Sequence, residues 1–145
     1  MKKFVLLVLV LITGLTVFSQ GIEFQKGRYA EVLEMAKKQN KLVFIDIYTS
    51  WCGPCKQMAQ TTFVDPEVAV FFNEKFINVK VDMEKGEGKE LKDRYHVKAY
   101  PTLNFINTEG AMVHCVVGGM NVKELLEQGN VALNGKGVAF MQHEY

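Results

Sequence analysis

The hexapeptide Trp51-Cys52-Gly53-Pro54-Cys55-Lys56 places two thiols three residues apart, where a strand-like run (Leu42 to Tyr48) gives way to a helix-like one (Pro54 to Thr62). A cysteine at a helix start faces unpaired backbone N–H groups and the positive end of the helix dipole, and both favour thiolate over thiol. Cys52 is therefore the candidate nucleophile. Cys55, one turn further on, is placed to attack a mixed disulfide formed at Cys52 and to release the substrate reduced. Pro54 suits a first helical turn, where its missing N–H would have no partner, and Gly53 is expected to let the chain bend sharply between the sulfurs. Such chemistry requires no metal or organic cofactor, because the dithiol itself holds the two electrons.

The run Leu42-Val43-Phe44-Ile45-Asp46-Ile47-Tyr48 has the nearly continuous apolar pattern of a central strand covered on both faces. Asp46 interrupts it, and a carboxylate there is costly unless paired or functional. Proton transfer is the expected reason: burial raises its pKa and lets it exchange a proton with Cys55, directly or through water. An acid bonded to nearby backbone or to Thr49 is the alternative.

The remaining elements follow from periodicity and capping residues. Arg28 to Gln39 carries the helical stripe Tyr29, Val32, Leu33, Met35 and Ala36, closed by Asn40 and Lys41. The helix begun at the dithiol is expected to reach Thr62. Asp65-Pro66-Glu67 supplies an N-cap, a first-turn proline and a first-turn acid for a helix through Phe72. Phe76 to Asp82 alternates as a strand should. Glu84 to Lys89 is a charged, glycine-bearing run, expected as a solvated loop rather than a docking site. A short helix over Glu90 to Tyr95 follows, then His96, expected at the surface without a catalytic role. Strands over Thr102 to Asn107 and Ala111 to Val117 flank a turn at Thr108-Glu109-Gly110. In the second, Cys115 reads as a small buried hydrophobe and His114 as facing solvent on the opposite side. Gly118-Gly119 breaks the strand, and Asn121 caps a last helix from Val122 to about Leu133. Residues 134–145 carry no evident chemistry.

At 145 residues, with 48% hydrophobic and 23% charged residues, one globular domain is expected. Its 17 basic and 16 acidic residues become 15 and 16 if Lys2 and Lys3 leave with a leader, so no basic field for nucleic acid remains. Three cysteines allow one pair and a leftover, not a framework of disulfides. On paper Cys52, Cys55, Cys115 and one of His96, His114 or His143 could hold zinc, but there is no second Cys-x-x-Cys or Cys-x-x-His, so no metal is expected.

Trp51-Cys52-Gly53-Pro54-Cys55-Lys56 resembles the active-site signature of thioredoxins, and Cys-x-x-Cys near a βαβ pattern is the cue for that fold. The resemblance extends from about Tyr29 to Leu133. It includes Asp46, six residues before Cys52, where thioredoxins carry a buried carboxylate. Tyr100-Pro101-Thr102 resembles the family's cis-proline loop, which faces the dithiol and pairs with a substrate chain, and Gly118 matches the glycine after the last strand. The implied fold is α/β, a central mixed β-sheet flanked by helices on both faces. Trp51, Gly53, Pro54, Tyr100 and Pro101 would then shape the substrate face. Tyr100 stands where an aliphatic residue is common, so it adds either a stacking surface and hydroxyl or simple packing. Thr62-Phe63-Val64-Asp65-Pro66-Glu67-Val68 is similar to a stretch in secreted members. Many thioredoxins place a lysine near the buried acid at a position that is Asn78 here. Either Lys80 substitutes or the acid lacks a cation.

Met1-Lys2-Lys3 and the apolar run Phe4 to Phe18 have the layout of a secretory signal, cleaved after Ser19 or, less favourably, Gln20, with an uncleaved anchor as the alternative. The expected protein is a periplasmic or secreted, monomeric protein-disulfide reductase. Its partners would be disulfide-bearing proteins and a membrane thiol-electron donor. Two rivals stay open: an oxidase or isomerase of secreted proteins, and a redox-inert module that keeps the fold and its peptide groove.

Overall fold

The computed structural model describes residues 20–135. The expected leader (1–19) and His143 lie outside that range, as does all but the start of the C-terminal stretch. The elements in chain order are β1 (Phe24–Gln25), α1 (Tyr29–Gln39), β2 (Leu42–Tyr48), α2 (Gly53–Gln60), a 3-10 turn (Thr62–Val64), α3 (Pro66–Lys75), β3 (Phe76–Asp82), α4 (Gly88–Arg94), β4 (Thr102–Ile106), β5 (Met112–Val117) and α5 (Val122–Leu133). They build a five-stranded sheet in the order β1-β3-β2-β4-β5. β2 runs parallel to β3 and antiparallel to β4. The sheet is thus mixed, with the candidate dithiol directly after its middle strand.

Alternation along β2 sends side chains to two different cores. Val43, Ile45 and Ile47 pack with Val32 and Ala36 of α1 and Leu91 of α4. Phe44 points the other way, into a layer with Met58 of α2, Phe72 of α3 and Leu125 of α5. Its ring meets Phe72 edge-on at 4.8 Å and Phe63 at 6.2 Å, the geometry aromatic quadrupoles favour. Asp46 shares Phe44's side of the strand, beneath α2.

Local signals account for most helix ends. Asn40 takes the left-handed conformation (φ 50°) that closes α1, a position asparagine tolerates. Asp65 Oδ1 accepts from the N–H groups of Glu67 (2.9 Å) and Val68 (3.3 Å), with Pro66 opening α3. Asn121 and Glu124 form a reciprocal capping box at α5. By contrast, α2 does not reach Thr62. It stops at Gln60, where the Thr61 hydroxyl donates to the Gln57 carbonyl (2.8 Å), and the chain tightens into the 3-10 turn.

Two expectations for β5 are reversed. His114 is buried (7% exposed), its Nε2 2.7 Å from Gln128 Oε1 and its ring stacked on Phe105. Cys115 is only half-buried, and burial pushes its thiol pKa up. β5 is an edge strand that α5 covers on the His114 side, whereas Cys115, opposite Asn104, lies on the less covered side. The short β1 pairs with β3 ahead of the expected core, and Ile22 N–H donates to Phe63 O (2.8 Å).

The loop after β3 is held by close packing at Gly88. A Cβ there would overlap the Asp82 carbonyl oxygen and sit 2.7 Å from Met83 Cα, both backbone atoms that cannot step aside. Gly88→Ala is expected to lower the unfolding free energy by about 1–3 kcal/mol in urea titration. A loss below about 0.5 kcal/mol would show that the loop gives way freely.

Candidate active site

Cys52 is the N-cap of α2, and its Sγ accepts the Cys55 N–H at 3.2 Å. The two sulfurs are joined as a disulfide, with Cα atoms 5.3 Å apart. The Cys52 N–H donates to Thr49 O (3.2 Å), fixing the turn that delivers strand into helix. On reduction, the same Cys55 amide and the start of α2 favour negative charge on Cys52. Both cysteines are nearly covered, at 4% and 5% exposure, so a substrate sulfur has a narrow approach. Gly53 does not use its conformational freedom: its backbone is helical and an added Cβ would meet nothing within 4 Å. What it contributes is the lack of a side chain beside the sulfurs.

Asp46 is 1% exposed. Strand register settles which residue faces it: Lys80 lies directly opposite Asp46, while Asn78 pairs with Phe44. Lys80 Nζ stands 3.2 Å from Asp46 Oδ2, and Asn78 instead donates to the Phe72 carbonyl (3.2 Å). The contact is an ion pair, and neither carboxylate oxygen has a well-aligned hydrogen bond among the described residues. The Thr49 hydroxyl, offered above as a partner, does not bond to the acid and is itself buried without a partner. Burial pushes the Asp46 carboxyl above the usual carboxylate range, and the Lys80 ammonium pulls it part of the way back.

The outer surface is built from three loops. Trp51 is 64% exposed, and its ring meets Tyr100 edge-on at 5.8 Å. Tyr100–Pro101 is cis, and Pro101 O accepts the Gly118 N–H at 2.9 Å, which ties the proline loop to the end of β5. The next residue, Gly119, faces Pro54: a Cβ added to it would lie 3.5 Å from Pro54 Cβ. Between them an uncharged groove of about 370 Å³ runs along α2, lined by Pro54, Gln57, Met58, Met120 and Val122 among others. The structure thus brings Tyr100 against Trp51 of the dithiol turn and sets Gly119, next to the glycine bonded to Pro101, against Pro54, while Asp46 is buried on the α2 side of the strand that leads into the turn. His96 is exposed elsewhere.

Sequence reading missed the part played by the charged run after β3. Glu84 Oε1 accepts the Trp51 indole N–H at 3.0 Å, and Glu87 Oε2 accepts the Tyr29 N–H at 2.8 Å at the start of α1. Lys85 and Lys89 behave as expected for surface charge: both are exposed, and Lys85 pairs with Asp82 at 3.3 Å. No local signal marks Glu84, since its partner is 33 residues away.

Comparison with known proteins places this geometry among relatives. The family model Thioredox_DsbH, described as a protein of unknown function, DUF255, matches residues 20–104. A solved Bacteroides thetaiotaomicron structure, provisionally assigned as a disulphide-isomerase, is 44% identical with a TM-score of 0.73, covering 82% of this chain and 98% of its own. Chloroplastic thioredoxin Y of Oryza sativa subsp. japonica is 30% identical over 77% of this chain and 63% of the relative. The thiol:disulfide interchange protein DsbD of Tatumella citrea is 29% identical over 74% of this chain and 19% of the relative. The chain therefore spans less than two thirds of the length of these curated relatives.

Trp51 is the sole tryptophan, so its fluorescence reports the Glu84 contact directly. Glu84→Ala is expected to lower Trp51 anisotropy while changing stability by less than about 0.5 kcal/mol. Unchanged anisotropy would mean that Tyr100 alone holds the indole. For Asp46, a folded-state pKa above the unfolded value of about 3.9 means that the folded chain binds the extra proton between the two values. Stability then falls as pH rises through that window. Asp46→Asn is expected to be the more stable chain at neutral pH and to lose the advantage below about pH 4. Lys80, 29% exposed, keeps access to water in that variant. Urea unfolding across pH checks this, and a less stable variant at neutral pH would contradict it.

Proposed function

The chain belongs to the thioredoxin-like superfamily, and on that premise we propose that it is an extracytoplasmic thiol–disulfide oxidoreductase that reduces protein disulfides. The observation that carries this reading is the Cys52 sulfur at the start of α2, accepting the Cys55 amide and bonded to Cys55. In the reduced protein the Cys52 thiolate attacks a substrate disulfide, and a mixed disulfide forms as the first substrate sulfur leaves. Cys55 gives up its proton toward Asp46 and attacks the Cys52 sulfur. The second substrate sulfur leaves, and two electrons have passed from the protein dithiol to the substrate. Trp51, Tyr100 and Pro101 on one side, and Gly53 and Pro54 on the other, form the face against which an extended substrate chain lies.

Gly53-Pro54 between the cysteines resembles reducing members of the family and supports that direction. The basic start and apolar run of residues 1–18 support export. A reductant outside the cytoplasm must be recharged by a donor reaching across the membrane. Similarity to a thiol:disulfide interchange protein supports placing this chain in such a relay.

Similarity to the Bacteroides protein favours isomerisation as the second reading. Isomerisation needs Cys52 alone, whereas net reduction needs both sulfurs. The parent is expected to reduce insulin disulfides, Cys52→Ser to be inactive, and Cys55→Ser to accumulate mixed disulfides. Its potential is expected closer to about −270 mV than to about −120 mV. Full rearrangement of scrambled substrate by Cys55→Ser would favour the isomerase, and equal, negligible turnover by parent and Cys52→Ser would favour an inert binding module.

A further inference from the structure

Few large apolar side chains are exposed among the described residues, and two of them mark one face of the molecule. Val70 of α3 is 57% exposed and Leu133 of α5 is 40% exposed. The two helices approach closely at Gly129, where an added Cβ would lie 2.7 Å from Phe71 Cε1. A groove of about 510 Å³ opens between them. Pro66, Val70, Phe71 and Leu126 supply its apolar lining, and Glu67, Glu74 and Asn130 its polar lining. Leu126, Asn130 and Leu133 recur at helical spacing, so the same stripe of α5 runs on to the helix end.

The chain leaves α5 in a way that suits a return along this stripe. After Leu133, Gly135 takes the left-handed conformation (φ 65°), and its N–H donates to Ala132 O at 3.3 Å. Glycine in this position stops a helix and turns the chain off its axis. Residues 136–145 follow, outside the described range, and their one apolar run is Val138-Ala139-Phe140-Met141. A rise of about 1.5 Å per helical residue sets Asn130 about 8 Å and Leu126 about 14 Å back along the axis from Gly135. An extended chain advancing about 3.3 Å per residue brings Val138 to about 10 Å and Phe140 to about 17 Å. The apolar run therefore has the reach to cover the groove.

We propose that the α3–α5 groove is the docking site of this chain's own segment Val138–Met141, with Phe140 as its anchor. Apolar fit is matched by charge: the ionisable side chains lining the groove are acids, and the segment enters it behind Lys136. A tether of two residues, Lys136 and Gly137, holds the segment at an effective concentration of about millimolar or above, which a ligand in solution would have to match. A second copy of the chain suits the groove less well, because a two-fold contact would set Glu67 and Glu74 of one copy against the same acids of the other. Covering Val70 and Leu133 removes apolar surface from water, which drives the docking. The inference stands apart from the oxidoreductase reading, since no group around the sulfurs enters it.

The test uses the full chain carrying Val70→Cys, with Cys52 and Cys55 kept as their disulfide. Cysteine behaves as a small hydrophobe, so the substitution keeps the groove apolar. Alkylation of the introduced thiol by iodoacetamide is timed, with Cys115 of β5, outside the groove, as internal reference. Relative to that reference, the full chain is expected to react about tenfold more slowly than a chain ended after Gly135, as a segment seated roughly nine-tenths of the time would give. Phe140→Asp is expected to release the thiol to the same extent while leaving α5 whole, and it decides alone should the shortened chain not fold. The protection is expected to be independent of protein concentration. Equal rates in all three chains would overturn the proposal, and so would slow alkylation that survives both changes. Protection that grows with protein concentration would overturn it in favour of a second copy.

Discussion

A carboxylate in a strand covered on both faces has to be compensated from within the sheet, and this constraint links the parts of the molecule. Asp46 cannot reach bulk water, because Phe44 and the α2 layer close its side of β2. The neighbouring strand β3 supplies the cation, at the residue directly opposite. Removing Lys80 would leave Asp46 as an uncompensated buried charge, which is far more costly than never having had the pair, whereas removing the acid leaves a lysine that still reaches water. The registry of β2 against β3 is therefore set by charge as well as by the alternation of Val43, Ile45 and Ile47 against Ile77 and Val79.

The same packing places the sulfurs. β2 ends at Tyr48, the Thr49 carbonyl holds the Cys52 amide, and α2 begins at once. A helix end buried without capping partners would carry unpaired amides. Here the cysteine sulfur is the cap, so one geometric requirement of the fold and one electronic requirement of the chemistry meet in the same atom. Changing Cys52 thus removes a nucleophile and a cap together, whereas changing Cys55 leaves the cap's acceptor in place.

What was legible in the sequence divides by the range of the interaction. The dithiol, the caps Asp65, Asn40 and Asn121, and the apolar run of β2 are local, and each was read from residues a few positions apart. The cation beside Asp46 was left open between Lys80 and no partner, because only strand register distinguishes Lys80 from Asn78. Glu84 reads as solvated surface in any window of sequence, and its bond to Trp51 exists only because β3 brings the following loop alongside the dithiol. His114 and Cys115 were assigned to the wrong sides because the alternation of a strand gives two faces but not which one a later helix covers. β1, two residues long, is too short to show a period at all.

The residues around the sulfurs separate into two groups that act on different sides of the same bond. Beneath it lie Asp46, shielded from water, and the partly exposed Lys80 that pairs with it, a matter of charge. Above it lie Trp51, Tyr100 and the Pro101 loop, exposed and concerned with shape. An aromatic ring at Tyr100 braces Trp51 where an aliphatic side chain would offer no edge-on ring contact. The indole makes two contacts, at its ring with Tyr100 and at its N–H with Glu84, so the outer face is an aromatic pair rather than a lone side chain. On the oxidoreductase reading, side chains already in contact lose less freedom when a substrate chain settles on them. The inner group is fixed instead by the register of β2 against β3, which no contact on the outer face sets.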